Sequence, residues 1–150
     1  MQMPEWIKRN PEKNLKRIQH ESEKIRNSFP SFELLQKDDL SLYWKGQLAT
    51  NCKNVYSIEI HYTDEYPYSP PIALVLDKDV KNYCLSAGLH GCHNWGEEMG
   101  GIHVCVIDPK DTVNVRWHKD HSAASMIIWT AEWLHAYEVK RVTGKWILPE

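Results

Sequence analysis

Glu65-Tyr66-Pro67-Tyr68-Ser69-Pro70-Pro71 is the stretch whose reading decides the fold. Its prolines fix φ and remove backbone donors, so the chain is held in one extended turn that cannot sit inside a helix or a central strand. Before it runs Val55-Tyr56-Ser57-Ile58-Glu59-Ile60-His61-Tyr62, in which apolar side chains alternate with period two as in a half-buried strand. After it comes Pro71-Ile72-Ala73-Leu74-Val75-Leu76, a further strand whose leading proline stands where no ladder donor is needed. Upstream, Leu40 to Leu48 alternates in the same way, and the short polar connection Thr50-Asn51-Cys52-Lys53-Asn54 makes it the antiparallel neighbour of the next strand. With Phe32-Glu33-Leu34-Leu35 in front, the pattern predicts a four-stranded antiparallel meander.

Helices flank this meander. Pro11-Glu12-Lys13 opens a segment to about Asn27 in which Leu15, Ile18 and Ile25 recur near helical spacing. Residues 1 to 29 carry seven Lys or Arg against four Glu, so the polar face of this first helix is basic. It reads equally as a solvated face and as a docking surface involving Lys13, Lys16 and Arg17. From Ser122 or Ala123 to about Val142 the pattern predicts a second helix, with Ser122 as N-cap and Gly144 as stop. Its Met126, Ile127, Ile128, Trp129, Trp133, Leu134 and Tyr137 cover much of the circumference, as in a central helix laid across a sheet. Between Asp77 and Ser122 regularity is lost apart from an apolar stretch around Cys105, and such a long loop in a compact domain is usually functional. The fold class is α+β.

At 150 residues with a formal charge of −2, the chain is expected to form one domain, residues 1–150. A hydrophobic content of 42% and a charged content of 25% exclude an intrinsically disordered chain. The start, Met1-Gln2-Met3-Pro4-Glu5-Trp6, has no apolar run behind a basic segment, and no window approaches the length needed to span a bilayer, so a cytoplasmic protein with no membrane partner is expected. The acidic balance disfavours nucleic acid. Four irregularly spaced cysteines do not make a disulfide framework.

Gly101-Ile102-His103-Val104-Cys105-Val106-Ile107 places one thiol on an apolar segment, suited to carry an acyl group. The Asn94 amide is a candidate donor to the tetrahedral oxyanion, or a brace for its loop. His103 is a candidate to lower the thiol pKa, or a structural histidine. Asp120 or His121 would accept a proton from an incoming amine, or cap and decorate the following helix. Cys84, His90, Cys92, His93, His103 and Cys105 are zinc-ligand types, but without a CxxC pair or a common spacing they predict no metal. Cys92 reads as an incidental or a redox-sensitive thiol. No glycine loop that would cradle phosphate is present, so no nucleotide cofactor is expected.

The order of these parts resembles the ubiquitin-conjugating enzyme family. Its Tyr-Pro-x-x-Pro-Pro turn is matched by Tyr66 to Pro71, its Gly-x-hydrophobic-Cys by Gly101, Val104 and Cys105 with one extra residue, and its later tryptophan by Trp117. Its His-Pro-Asn motif has no tripeptide match; the nearest candidates are His90-Gly91-Cys92 and His93-Asn94-Trp95. The resemblance covers about residues 11 to 142 and implies the ubiquitin-conjugating fold with its last two helices missing. Such a minimal form is most similar to the bacterial ubiquitin-conjugating-like proteins of antiphage CBASS operons. It implies a transferase with a thioester on Cys105, and Asn94, His93, His103, Asp120 and His121 around it. The implied partner is the C-terminus of a cGAS-like nucleotidyltransferase, with the acyl donor supplied by a separate activating enzyme or directly by the partner. Two other readings stand beside it: a catalytically silent binding module of the same fold, and a cysteine hydrolase pairing Cys105 with His118 or His121.

Overall fold

The computed structural model describes residues 2–88, 91–106 and 117–148. A short helix α1 (Glu5–Lys8) leads into α2 (Pro11–Ser28), which starts on the Asn10 side chain accepting from the Lys13 N–H, with Pro11 where no donor is missed. The buried stripe of α2 is Asn14, Ile18, Glu21, Ser22 and Ile25. Leu15, expected on that face, is 43% exposed, one position off the stripe.

The meander follows as β1 (Glu33–Gln36), β2 (Leu42–Ala49), β3 (Val55–His61) and β4 (Ile72–Val75), each antiparallel to the next. Trp44 pairs with Ile60, and Ile60 with Ala73, so the alternating apolar residues fall on one face. Gly46 lies under Phe32: a Cβ there would stand 2.4 Å from the ring.

The chain after Asp77 is more regular than its sequence predicts. Lys78–Ala87 is a helix, α3, and Asn94–Glu98 and Gly101–Val104 form a hairpin, β5 and β6. The hairpin joins the meander through β4, giving a six-stranded sheet in the order β1-β2-β3-β4-β6-β5. The expected loop segment and four strands are therefore corrected to an α+β fold with six antiparallel strands and four helices among the described residues. The reason is physical: α3 buries only Val80 and Cys84, too few for a visible stripe, and β5 holds a glycine and two glutamates and breaks its register between Asn94 and Glu97.

The long helix α4 (Ala123–Thr143) packs on β3 and β4 and buries nine side chains, among them Met126, Ile127, Trp133, Leu134 and Tyr137. Ser122 caps it in a reciprocal box with Ser125, and Gly144 ends it in the left-handed conformation at φ 78°. Ile128, expected inside, is 49% exposed. Among the described residues, no helix is long and apolar enough to cross a membrane.

Polar contacts fix both ends of α4. At its start, the buried Glu21 carboxylate accepts from the Tyr62 hydroxyl at 2.9 Å, the Tyr66 hydroxyl at 2.5 Å and the Ala123 N–H at 3.2 Å, with Arg17 at 3.6 Å. Tyr62 in turn accepts from Trp44 Nε1 at 3.0 Å. Burial, then the Glu21 charge, pushes both tyrosine hydroxyls far above their ordinary range, so they stay donors. Toward its end, Glu138 Oε2 accepts from Thr50, Asn54 and Tyr56 at 2.7–2.8 Å. Partial burial raises the Glu138 carboxyl, and these bonds more than offset it, holding it below the usual value.

Glu21→Ala is expected to destabilise the protein by about 3–5 kcal/mol in urea unfolding, because two hydroxyls, an N–H and a guanidinium lose a buried acceptor together. A loss below about 1 kcal/mol would show that the carboxylate is dispensable.

Candidate active site

Cys105 follows β6 directly. That strand is brought close to β4 because residue 101 is glycine: a Cβ would stand 2.8 Å from Leu76 Cδ2 and 2.9 Å from the Val75 carbonyl. The exposures of His103, Val104 and Cys105 run half-buried, buried, half-buried, so the thiol-bearing residue and His103 lie on the face opposite Val104.

The backbone at Cys105 is tied down. Its N–H donates to the His93 carbonyl at 2.9 Å, and the same oxygen accepts from Trp133 Nε1 at 3.0 Å. His93 takes φ +40°, in the left-handed region that non-glycine residues seldom enter. Its imidazole stacks on Trp146 at 4.8 Å and 6°, and Trp146 lies 5.7 Å from Trp133. Two tryptophans, one in α4 and one just beyond it, thus hold the residue that holds Cys105.

Asn94 is buried and uses both ends of its amide. Oδ1 accepts from the Gly96 N–H at 2.9 Å, and Nδ2 donates to the Gly88 carbonyl at 3.4 Å. The first bond supports the break in register of β5, and the second reaches the end of α3. An amide nitrogen has two protons, and the long bond to Gly88 uses one.

His103 Nδ1 lies 3.0 Å from Glu98 Oε2. Burial pulls its pKa down, the Glu98 carboxylate pulls it back in part, and the net direction is below the ordinary value, so the ring is neutral at neutral pH. A neutral imidazole committed to Glu98 favours the structural one of its two readings. The structure joins His93 and Cys105 at one carbonyl, while the neighbouring Asn94 pairs with Val104 and turns its amide to Gly88 and Gly96; His103 shares the hairpin but faces Glu98.

Asp120 and His121 lie at the entrance to α4. Asp120 is exposed and stands 3.7 Å from His118 Nδ1. His121 Nδ1 is 3.3 Å from Ser125 Oγ, and its ring packs on His118 at 4.3 Å and Trp129 at 4.9 Å. Arg17 shapes this turn, donating to the Lys119 carbonyl at 2.7 Å and the His121 carbonyl at 3.4 Å. It is committed to the fold, which removes it from the docking face suggested by the basic helix; Lys16 is exposed and 3.9 Å from Glu12. Trp117 donates from Nε1 to the Pro67 carbonyl at 2.9 Å and packs on Tyr66, joining the proline turn to this entrance.

His90 and residues 107–116 lie outside the described residues. No group of three or more His, Cys, Asp or Glu among the described residues is arranged to hold a metal ion. Sequence reasoning missed Trp133, Trp146 and Arg17 as supports of the site. Seven tryptophans are the one hint the sequence offers, and they read as core.

The family model of the Type II CBASS E2 protein matches residues 21–150. The chain belongs to this family, whose members are ubiquitin-conjugating-like proteins of an antiviral defence system. No curated protein and no solved structure matches it.

Trp133→Phe keeps an aromatic side chain, removes the donor to His93 and leaves a small cavity in the core. It is expected to cost about 1–3 kcal/mol and to speed hydrogen exchange at the Cys105 amide. Burial lowers the pKa of His61 as it does that of His103, against the Glu59 and Glu98 carboxylates. The unfolded chain therefore takes up protons first as the pH falls below about 6.5, and stability is lost through that range. Unfolding free energies at pH 7.5 and 5.5 should differ less for His103→Gln than for the wild type.

Proposed function

We propose that Cys105 carries the C-terminus of a protein partner as a thioester and passes it to an amine. The observation that carries this reading is the placement of Cys105: half-buried at the end of β6, its amide held by the His93 carbonyl, in a chain of the CBASS E2 family. A half-buried thiol fixed at its backbone suits exchange with an extended peptide end, which divides amide formation into two easier steps. The layer order of N-terminal helix, meander, site hairpin and central helix supports a minimal ubiquitin-conjugating fold formed as one domain.

The partner is the C-terminus of a cGAS-like nucleotidyltransferase, a protein of the same defence system. A free carboxylate does not condense with a thiol unaided, so the acyl group arrives activated, from a separate activating enzyme or as an ester already on the partner. In the proposed step the thiolate adds to that carbonyl and expels the previous carrier. An acceptor amine then attacks, giving up its proton to His121 or Asp120, and the thiolate leaves. The second Asn94 Nδ2 proton donates to the oxyanion of each tetrahedral intermediate.

Intact-mass analysis of the protein made from its native operon tests this. Wild type should carry a partner-sized adduct removed by thiol, and Cys105→Ser a thiol-stable ester of the same mass. No adduct on either, with the partner present, would overturn the reading. Asn94→Ala should slow transfer roughly 10²–10³-fold while the fold persists; an unchanged rate would leave Asn94 as a brace alone.

A further inference from the structure

A second pair of sulfurs lies apart from Cys105. Cys84 stands on the buried face of α3, one turn beyond Val80, and Cys92 in the turn that leads into β5. Both are fully buried at 0% exposure within one core cluster, and each thiol acts on the ionisation of the other. The segments that carry them are pressed together: a Cβ on Gly91 would stand 2.4 Å from the Ala87 carbonyl, so the chain beside Cys92 lies against the last turn of α3. Two buried thiols on segments pressed together in this way are neighbours that a disulfide could join.

We propose that Cys84 and Cys92 are an oxidation site, closing to a reversible disulfide when the protein meets a peroxide. The two sulfurs are not equivalent. Cys92 is favoured as the thiolate by the bond from Cys84 and, against burial, by Lys140 and Arg141 on α4. Cys84 is held as the thiol by that same bond and by burial. The Cys92 thiolate attacks one peroxide oxygen, the O–O bond breaks, and the departing hydroxide takes a proton to leave as water. The Cys84 sulfur then attacks the sulfenic sulfur; the S–S bond forms, the S–O bond breaks and a second water leaves. Two thiols and one peroxide become one disulfide and two waters, the two sulfurs giving up the two electrons that reduce the peroxide.

Access comes from α3 itself. This ten-residue helix buries two side chains and has no side-chain bond at its N-cap, so peroxide reaches the pair when the helix opens locally. The disulfide would join α3 to the residue before His93, and so to the carbonyl that holds the Cys105 amide.

The test uses the full chain as Cys52→Ser/Cys105→Ser, which leaves only this pair and is silent about acyl transfer. Folded protein is treated with hydrogen peroxide, quenched, denatured, alkylated and mapped by peptide mass. The expected result is a loss of two hydrogens, no alkylation at Cys84 or Cys92, and recovery of both thiols with dithiothreitol. With Cys84→Ala added, Cys92 should stop at the sulfenic acid and be trapped by dimedone. If the variants do not fold, the wild type is mapped in the same way, the Cys84–Cys92 linkage being read directly. Full alkylation of both thiols after peroxide, or sulfinic acid without the linkage, would overturn the proposal.

Discussion

The Glu21 carboxylate, buried beneath the first turn of α4, has donors from two separated parts of the chain: Tyr62, just past β3, with Tyr66 of the proline turn, and the amide of Ala123. A buried anion is costly unless it is well solvated by the protein, and here hydroxyls, a helix N-terminus and Arg17 do so. The proline turn, α2 and α4 can therefore adopt only one mutual arrangement without stranding a charge. Arg17 extends that constraint outward, since the guanidinium next to Glu21 also takes the carbonyls of Lys119 and His121. Glu138 does the same at the far end of α4, where it accepts from three side chains of the β2–β3 connection and its flanks.

With α4 fixed at both ends, Trp133 near its middle becomes a reference point for the site. The His93 carbonyl is positioned against it, and Cys105 against that carbonyl. Residues close in sequence to the thiol are not all part of this chain of supports. His103 is spent on Glu98, while Trp133 and Trp146, distant in sequence, hold the left-handed residue next to Asn94. The membership in the CBASS E2 family rests on residues 21–150 together, not on these supports alone.

Much of the fold is legible where one residue has one local meaning. Ser122 as a cap, Gly144 as a left-handed stop, Pro71 ahead of a strand and the alternation through β2 and β3 all act within a few residues. What is hidden depends on tertiary partners. Helix α3 shows no stripe because it buries two side chains, and β5 has no alternation because its register breaks and Asn94, not its own pattern, supports the break. Arg17 reads as a surface cation because nothing nearby in sequence names its acceptors. Cys105 stands out as a candidate from its segment, whereas the roles of Trp133 and Trp146 require knowing that α4 reaches the turn before β5.

The shared acceptor at His93 has a mechanical side. A strand as short as β6 has few ladder bonds to either neighbour, and under a load at its end they fail one after another. The amide of Cys105 is joined instead to a carbonyl that is itself joined to the core helix, so a pull on that residue passes into α4 and is borne by the whole helix at once.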